Sequence, residues 1–352
     1  MKLAILNDTH FGARSDSQLF SDYFFKFFEE VFFPYCIEND IKTILHLGDF
    51  LDRRKFINFN TLNQVRTRFL DKLEEYDMEI HCILGNHDTF YKNTNDLNSL
   101  REIFSTYDRF HVYENPTTLE FNGCKFGMVP WINDENEKEF LDYIKTCNAS
   151  IICGHFELNG YQVIRGTNWD RGIDDAIFKR FEMVLSGHFH CKQSKNNVHY
   201  LGTQYQITFG DMNEEKGFHV IDTTNRELTF IPNPNKMFYQ YVWNDDDSSR
   251  VDELTHMDCE HLEYAYLKIY IESKNKPYLF EKFLDRLYNN GASNITLIDV
   301  TESTDLNEDE VVDIGQDTLS LIFETIDELE SVDNKDKLKK MIRELYMESL
   351  SL

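Results

Sequence analysis

The stretch IHCILGNHD, residues 80–88, carries the reading of the fold. Ile80 to Leu84 form a mostly apolar run of strand length, and it stops abruptly at Gly85-Asn86-His87-Asp88. A glycine turn at a strand end has no geometric need of the histidine, so those residues ask for another explanation. Working outwards, the same arrangement recurs. Leu3 to Leu6 ends at Asn7-Asp8-Thr9-His10, Ile41 to Leu47 at Gly48-Asp49, Ser150 to Cys153 at Gly154-His155, and Met183 to Leu185 at Gly187-His188-Phe189-His190. Lys125 to Val129 reads as a further strand. Helical patterns separate them: Ser17 to Asn39, with Phe20, Phe24, Phe27, Phe28 and Val31 on one broad face, and residues 60–76. Strands alternating with helices predict an α/β sheet with helices packed on it. Strand ends of one sheet converge on a common rim, which is where α/β sites are built.

The chain has 352 residues, enough for about two domains. With 41% hydrophobic and 14% aromatic residues it can bury a sizeable core, which excludes a wholly disordered chain. The formal charge of −26 excludes a protein that coats DNA with basic surface, so any nucleic-acid contact has to be local, metal-assisted or shared with a partner. No apolar run approaches the roughly 20 residues that span a bilayer, so no membrane association is expected. The opening MKLAILNDTH reads as a strand rather than a signal peptide. Seven cysteines without a CxxC pair point to reduced, mostly buried thiols in a cytosolic protein.

Residues 198–231 are strand-rich and close with Ile231-Pro232-Asn233-Pro234, a boundary signal. A second unit follows, with strands near 264–272 and 294–300 around a helix near 277–290. Residues 299–333 hold thirteen Asp/Glu and no Lys or Arg, and 302–317 reads as a flexible acidic linker. After it, Leu319, Ile322, Phe323, Ile326 and Leu329 fall on one helical stripe. Leu338, Met341, Ile342, Leu345 and Tyr346 do so again after a polar turn. Two short amphipathic helices are implied, with too small a core of their own. The expected domains are 1–234, 235–300, the linker 301–317, and the tail 318–352.

The motif residues are imidazoles, carboxylates and one amide, with no thiolate. Five of the twelve histidines lie in the motifs. That donor mixture suits manganese, iron or zinc, with manganese favoured when carboxylate and water complete the shell. Taken singly the motifs are ordinary: an Asp-x-His occurs by chance and a Gly-Asp is often only a turn. Five in order, each after a strand, make one site. His46, His81, His111, His199, His219, His256 and His261 lack this context and read as structural or surface residues.

These motifs resemble those of the calcineurin-like metallophosphoesterases, over roughly residues 1–231. Within that superfamily the chain resembles the SbcD-type nuclease subunits and their meiotic-recombination counterparts. The shared features are Pro130-Trp131 before the fourth motif, Gly202-Thr203, Phe209-Gly210-Asp211 and Gly217-Phe218 after the fifth, a small capping domain and a helical tail. The compact length and acidic tail are similar to the recombination endonuclease subunits of large tailed bacteriophages.

The resemblance implies an α/β fold: a metallophosphoesterase β-sandwich flanked by helices, with a small α+β capping domain and a C-terminal helical hairpin. It implies two Mn2+ ions, with Mg2+ as a substitute. Metal one would be held by Asp8, His10, Asp49 and His190, and metal two by Asp49, Asn86, His155 and His188, with Asp49 bridging. His87 is not a ligand in that family. Its implied role is to protonate the leaving group or stabilise the transition state, its ring oriented by Asp88. Some archaeal members carry a histidine near the scissile phosphate at the position of Asp52, and that contact is not expected here.

The implied function is a manganese-dependent DNA exo/endonuclease subunit of an SbcC–SbcD-like recombination and double-strand-break repair complex, working by two-metal phosphodiester hydrolysis. An SbcC-like SMC-family ATPase would dock on the tail through Leu319, Ile322, Phe323, Ile326, Leu338, Met341, Ile342 and Leu345. A homodimer is implied, in the cytoplasm, or the host cytoplasm if the protein is phage-encoded. Arg53, Arg54, Lys55 and Lys92 lie on loops after motifs and are candidate DNA contacts, although a basic triplet is equally a solvated face. The alternative is a metallophosphatase acting on phosphoprotein or small phosphodiesters, which would share all five motifs. The capping unit and tail favour the nuclease.

Overall fold

The apolar runs resolve into two six-stranded sheets. In the computed structural model, residues 1–164 and 166–300 are described, together with Lys335, Leu338, Lys339, Met341 and Ile342. Strands β1 (Lys2–Leu6), β2 (Thr43–His46), β3 (Glu79–Ile83) and β4 (Phe110–Tyr113) are parallel and adjacent in that order. The chain then builds the second sheet from β5 (Thr117–Phe121), β6 (Cys124–Val129), β7 (Ile151–Gly154), β8 (Met183–Ser186), β9 (Gln193–Lys195) and β10 (Val198–Tyr200). Here β6, β7, β8 and β10 are parallel neighbours, with β5 and β9 as antiparallel edges. Finally β11 (Gly217–Asp222) and β12 (Leu228–Pro232) return to the first sheet, β11 antiparallel to β1.

Register places the motif-bearing strand ends level with one another. Leu6 pairs with His46 and His46 with Cys82 in the first sheet, and Gly154 pairs with Ser186 in the second. The sheets bury a shared layer between them. Leu3, Ile5, Leu45, Leu47, Ile83 and Ile221 from the first meet Phe126, Met128, Ile151, Cys153 and Leu185 from the second. The outer face of the second sheet packs Ile152, Val184 and Tyr200 with Phe140 and Ile144 of the helix Glu137–Thr146.

Over the first sheet lies an aromatic layer. The helix Gln18–Phe27 continues through a π-helical turn, Phe28–Phe32, into Phe33–Glu38. A second helical run does the same through Phe59–Val65, Arg66–Leu70 and Asp71–Glu75. Phe28 sits at the centre, fully buried, its ring 5.1 Å from Phe27 and Phe69 and 5.6 Å from Phe11. Six of the seven cysteines are buried and all are free thiols. Among the described residues, no helix is long and apolar enough to cross a membrane.

The chain divides into two compact units, 1–207 with 214–235, and 208–213 with the described residues from Lys236 onward. In the second unit β13 (Phe238–Asn244), β14 (Tyr266–Ser273) and β15 (Asn294–Asp299) form a parallel sheet, with helices Ser248–His256 and Pro277–Asn289 as crossovers. Trp243, fully buried, stacks on Phe283 at 5.3 Å and anchors its core. The strand Phe238–Asn244 and the helix Ser248–His256 escaped the sequence reading. The linker 301–317 lies outside the described residues, as do Leu319, Ile322, Phe323, Ile326 and Leu345. Leu338, Met341 and Ile342 are helical, with Met341 exposed.

Truncating the centre of the aromatic layer leaves a cavity that its rigid neighbours cannot fill. Phe28→Ala is expected to cost about 3–5 kcal/mol, read as a lowered urea midpoint at unchanged m-value.

Candidate metal centre

Each motif begins where a parallel strand stops, so the loops after β1, β2, β3, β7 and β8 open on one rim. The loops are stitched together by backbone bonds: Asp8 N–H donates to Gly48 O at 2.9 Å, His10 N–H to Asp49 O at 3.1 Å, and Gly187 N–H to Gly154 O at 3.1 Å. Four motif residues adopt left-handed backbone angles, Asp8 (φ 49°), His10 (φ 42°), Asp49 (φ 54°) and His188 (φ 85°). Such angles in non-glycine residues cost about 1–3 kcal/mol each and collect where function demands a particular side-chain direction. Gly85 must be glycine, because a Cβ there would lie 2.2 Å from both the Asp49 nitrogen and its Oδ1.

Two clusters of donor atoms result, each within 4.8 Å: Asp8, His10 and His190, and Asp49, His155 and His188. In the first, His10 Nε2 and His190 Nε2 lie 3.2 Å apart. In the second, Asn86 Oδ1 is 3.0 Å from both His155 Nε2 and His188 Nδ1. Asp49 stands between them, its Oδ2 3.8 Å from His10 Nε2 and 3.3 Å from His155 Nε2. These are the spacings of donors around a common cation. His10, Asp49 and His87 form a third such grouping.

Neighbouring groups aim the donors. His155 Nδ1 donates to Leu47 O at 2.7 Å, which leaves the Nε2 lone pair facing the cluster. His10 Nδ1 lies 3.3 Å from Asp52 Oδ1. Asp8 Oδ2 accepts Asn7 Nδ2 at 2.6 Å, and Asn7 also donates to Gly202 O. Gln204 and Tyr205 bond the carbonyls of Asn7 and Thr9, so the Gly202–Tyr205 stretch braces the first motif. The indole of Trp131 flanks His155 and His188, with ring centroids 5.9 and 5.2 Å away.

The electrostatics are those of a cation site. Burial opposes charge on His10, but the Asp52 and Asp49 carboxylates outweigh it and raise the imidazole to about 9. Burial opposes charge on His155 too, and Asp49 and Asp8 outweigh it, again to about 9. Asp49 stays well below the usual carboxylate range: the His155 and His87 imidazoles overcome its burial. Buried carboxylates that hold protonated imidazoles around them will exchange those protons for metal ions.

All seven expected ligand residues meet at this rim. His87 is beside them, its ring 4.9 Å from that of His10 and at right angles to it. Asp88 does not orient that ring, contrary to expectation. Its carboxylate accepts N–H groups from Gly85 (2.8 Å), Asp49 (2.9 Å), Phe50 (3.1 Å) and Leu51 (3.3 Å), and His87 Nδ1 instead bonds Asp52 O at 2.5 Å. Asp88 therefore shapes the Asp49 turn. Asp52, Asn7 and Trp131 went unassigned, because their roles are contacts between loops distant in sequence. Of the basic candidates, Arg53 pairs with Asp16 at 2.9 Å, Arg54 donates to Thr89 Oγ1 at 3.3 Å, and Lys55 and Lys92 are exposed.

Comparison with known proteins agrees with the geometry. Residues 1–192 match the family model described as calcineurin-like phosphoesterase. The chain is 36% identical over 233 residues to exonuclease subunit 1 of Enterobacteria phage T4, covering 66% of this chain and 68% of that one. It is 26% identical over 190 residues to the SbcD component of the SbcCD nuclease of Staphylococcus epidermidis, covering 45% of this chain and half of that relative's length. The chain belongs to the calcineurin-like phosphoesterase family and is a metal-dependent phosphodiesterase with nucleases among its relatives.

Proposed function

We propose that this chain is the nuclease subunit of a manganese-dependent, SbcC–SbcD-like complex that cuts DNA in recombination and double-strand-break repair. The observation that carries this reading is the position of Asp49, one carboxylate between two donor clusters. In this reading Asp8, His10, Asp49 and His190 would hold one ion and Asp49, Asn86, His155 and His188 the other, with Mg2+ able to stand in for Mn2+. When bound, the pair supplies Lewis-acid polarisation of the phosphodiester and an acidified water. The chain's own residues do the rest. His87, with Nδ1 committed to Asp52 O, holds or passes a proton at Nε2, towards the leaving oxygen. Trp131 covers one side of the His155–His188 pair and keeps water from it.

The substrate assignment draws on the nuclease names of two relatives and on the loops beside the site. Phe56 is 63% exposed and the Arg53 guanidinium lies 4.9 Å from its ring centroid, an arrangement suited to a base or sugar beside a phosphate. Lys55 and Lys92 add charge on the same loops. With a net charge of −26 the chain needs help to hold DNA, which favours an ATPase partner docked on the C-terminal segment. The proposal further takes the second unit as a cap over DNA, a homodimeric assembly and a cytoplasmic location.

The direct test is incubation with linear and hairpin DNA plus manganese, next to a chromogenic phosphodiester. DNA cleavage is expected. Hydrolysis of the small ester with intact DNA would instead select the phosphatase. His87→Asn is expected to keep both metals and the fold while cleavage falls about 10²- to 10⁴-fold. A metal count that falls with activity would make His87 a ligand.

Metal loss should be uneven. Asp49→Ala is expected to lose both ions and His10→Ala mainly one, counted as manganese by native mass spectrometry. Two ions retained by the Asp49 variant would overturn the ligand set.

Deleting residues 317–352 is expected to leave manganese-dependent cleavage of short DNA intact but to abolish co-purification with the ATPase. Unchanged co-purification would place the docking surface elsewhere.

A further inference from the structure

We propose a separate divalent-metal site of the zinc class on the first sheet, formed by Glu79, His81 and His111. Glu79 opens β3, and its far end feeds Gly85-Asn86, so this cluster stands at the end of the strand away from the nuclease rim. Glu79 and His81, two apart on β3, share one face, and His81 is paired directly across from His111 on β4. The register therefore gathers two imidazoles and a carboxylate whose donor atoms all lie within 4.8 Å of one another.

The spacing is that of metal ligands rather than of hydrogen bonds. His81 Nε2 is 3.4 Å from Glu79 Oε1, and His111 Nε2 is 3.4 Å from Glu79 Oε2. Charge-assisted N–H···O bonds close to about 2.7–2.9 Å. Two bonds of about 2.0–2.1 Å at a tetrahedral angle place their donors about 3.3 Å apart. The burial of His81 sharpens this. The residue is 8% exposed, its Nε2 is buried, and that atom makes no hydrogen bond. A buried ring nitrogen left without a bond is costly unless something else binds it.

The surroundings hold the ring as a ligand. His81 Nδ1 lies 2.7 Å from the Tyr113 hydroxyl. When Nδ1–H donates there, Nε2 presents its lone pair to the cluster. Phe121 meets the ring edge-on at 5.4 Å and closes the inner side, while Glu79 and His111 are half-exposed and leave an outer position for water and for metal entry. Two imidazoles and one carboxylate favour zinc over the harder manganese. Because β4 is the edge of the sheet, an ion here would clamp that edge to β3.

The test uses the full chain, stripped with chelator, with Asp49→Ala introduced to disable the nuclease centre. Zinc is added and counted by native mass spectrometry. The Asp49→Ala protein is expected to bind one zinc more than Asp49→Ala/His111→Gln or Asp49→Ala/Glu79→Gln. Both second changes are at half-exposed positions, so the fold should persist, checked by circular dichroism. Cobalt added instead should give the intense visible absorption of a tetrahedral site in the parent and lose it in both variants. Equal zinc counts, or a cobalt band that survives both changes, would overturn the site. His111→Gln alone, with Asp49 intact, is expected to leave manganese-dependent cleavage unchanged, so failure of this site and failure of the nuclease reading are separable.

Discussion

The Asp88 carboxylate is the constraint on which the rest of the rim depends. It is fully buried and accepts four backbone N–H groups, from Gly85 on its own loop and from Asp49, Phe50 and Leu51 on the loop after β2. A buried hydrogen bond contributes about 0.5–1.5 kcal/mol net, and an unmatched buried N–H costs about 1–3 kcal/mol. That is enough to hold Asp49 at its left-handed backbone angle. The link is reciprocal: Asp49 Oδ1 accepts the His87 N–H at 2.7 Å. The two loops thus clasp each other by side chain to backbone in both directions, and the Asp49 carboxylate can face donors from three other loops.

Beneath this clasp lies the aromatic layer. Phe11 follows His10 and Phe50 follows Asp49, and their rings touch at 5.1 Å before both meet Phe69, each at 5.8 Å. A rim donor and its anchor are adjacent residues in both loops. Movement of His10 or Asp49 would pull a phenylalanine from a close-packed interior, where even small volume changes are felt. Packing energy from the helices is therefore what tolerates the backbone strain at Asp8, His10 and Asp49.

Much of this was legible in the sequence, for a physical reason. A parallel strand buried on both faces is a continuous apolar run, and its end is marked by the first glycine and polar residue. Because parallel strands all point one way, a list of strand ends is also a list of rim residues, which is how Asp8, Asp49, Asn86, His155 and His188 group together from the sequence. What was not legible depends on register and on contacts across the chain. Asp88 reaches residues 37–39 positions away, and His10 meets Asp52 across two loops. His81 and His111 looked like unrelated structural histidines until the pairing of β3 with β4 set them side by side. In the second unit, the two buried residues of Phe238–Asn244, Phe238 and Trp243, lie on opposite faces of the strand, so its burial follows no clean two-residue period.

The same strand ties these observations together. β3 is five residues long, a short rod next to the edge of its sheet, whose neighbours β2 and β4 fix its register on both sides. Its start carries Glu79 and His81 and its end delivers Gly85, Asn86, His87 and Asp88. Gly85 tolerates no displacement, since Asp49 already occupies the space of a Cβ. Any slip of β3 along β2 would therefore be felt as a collision at Gly85 and as broken bonds at Asp88. Whatever fastens β4 to β3 at the opposite end restrains that slip from the far side. The precision with which the Asp49 carboxylate is placed is then a property of the whole sheet rather than of the loop that bears it.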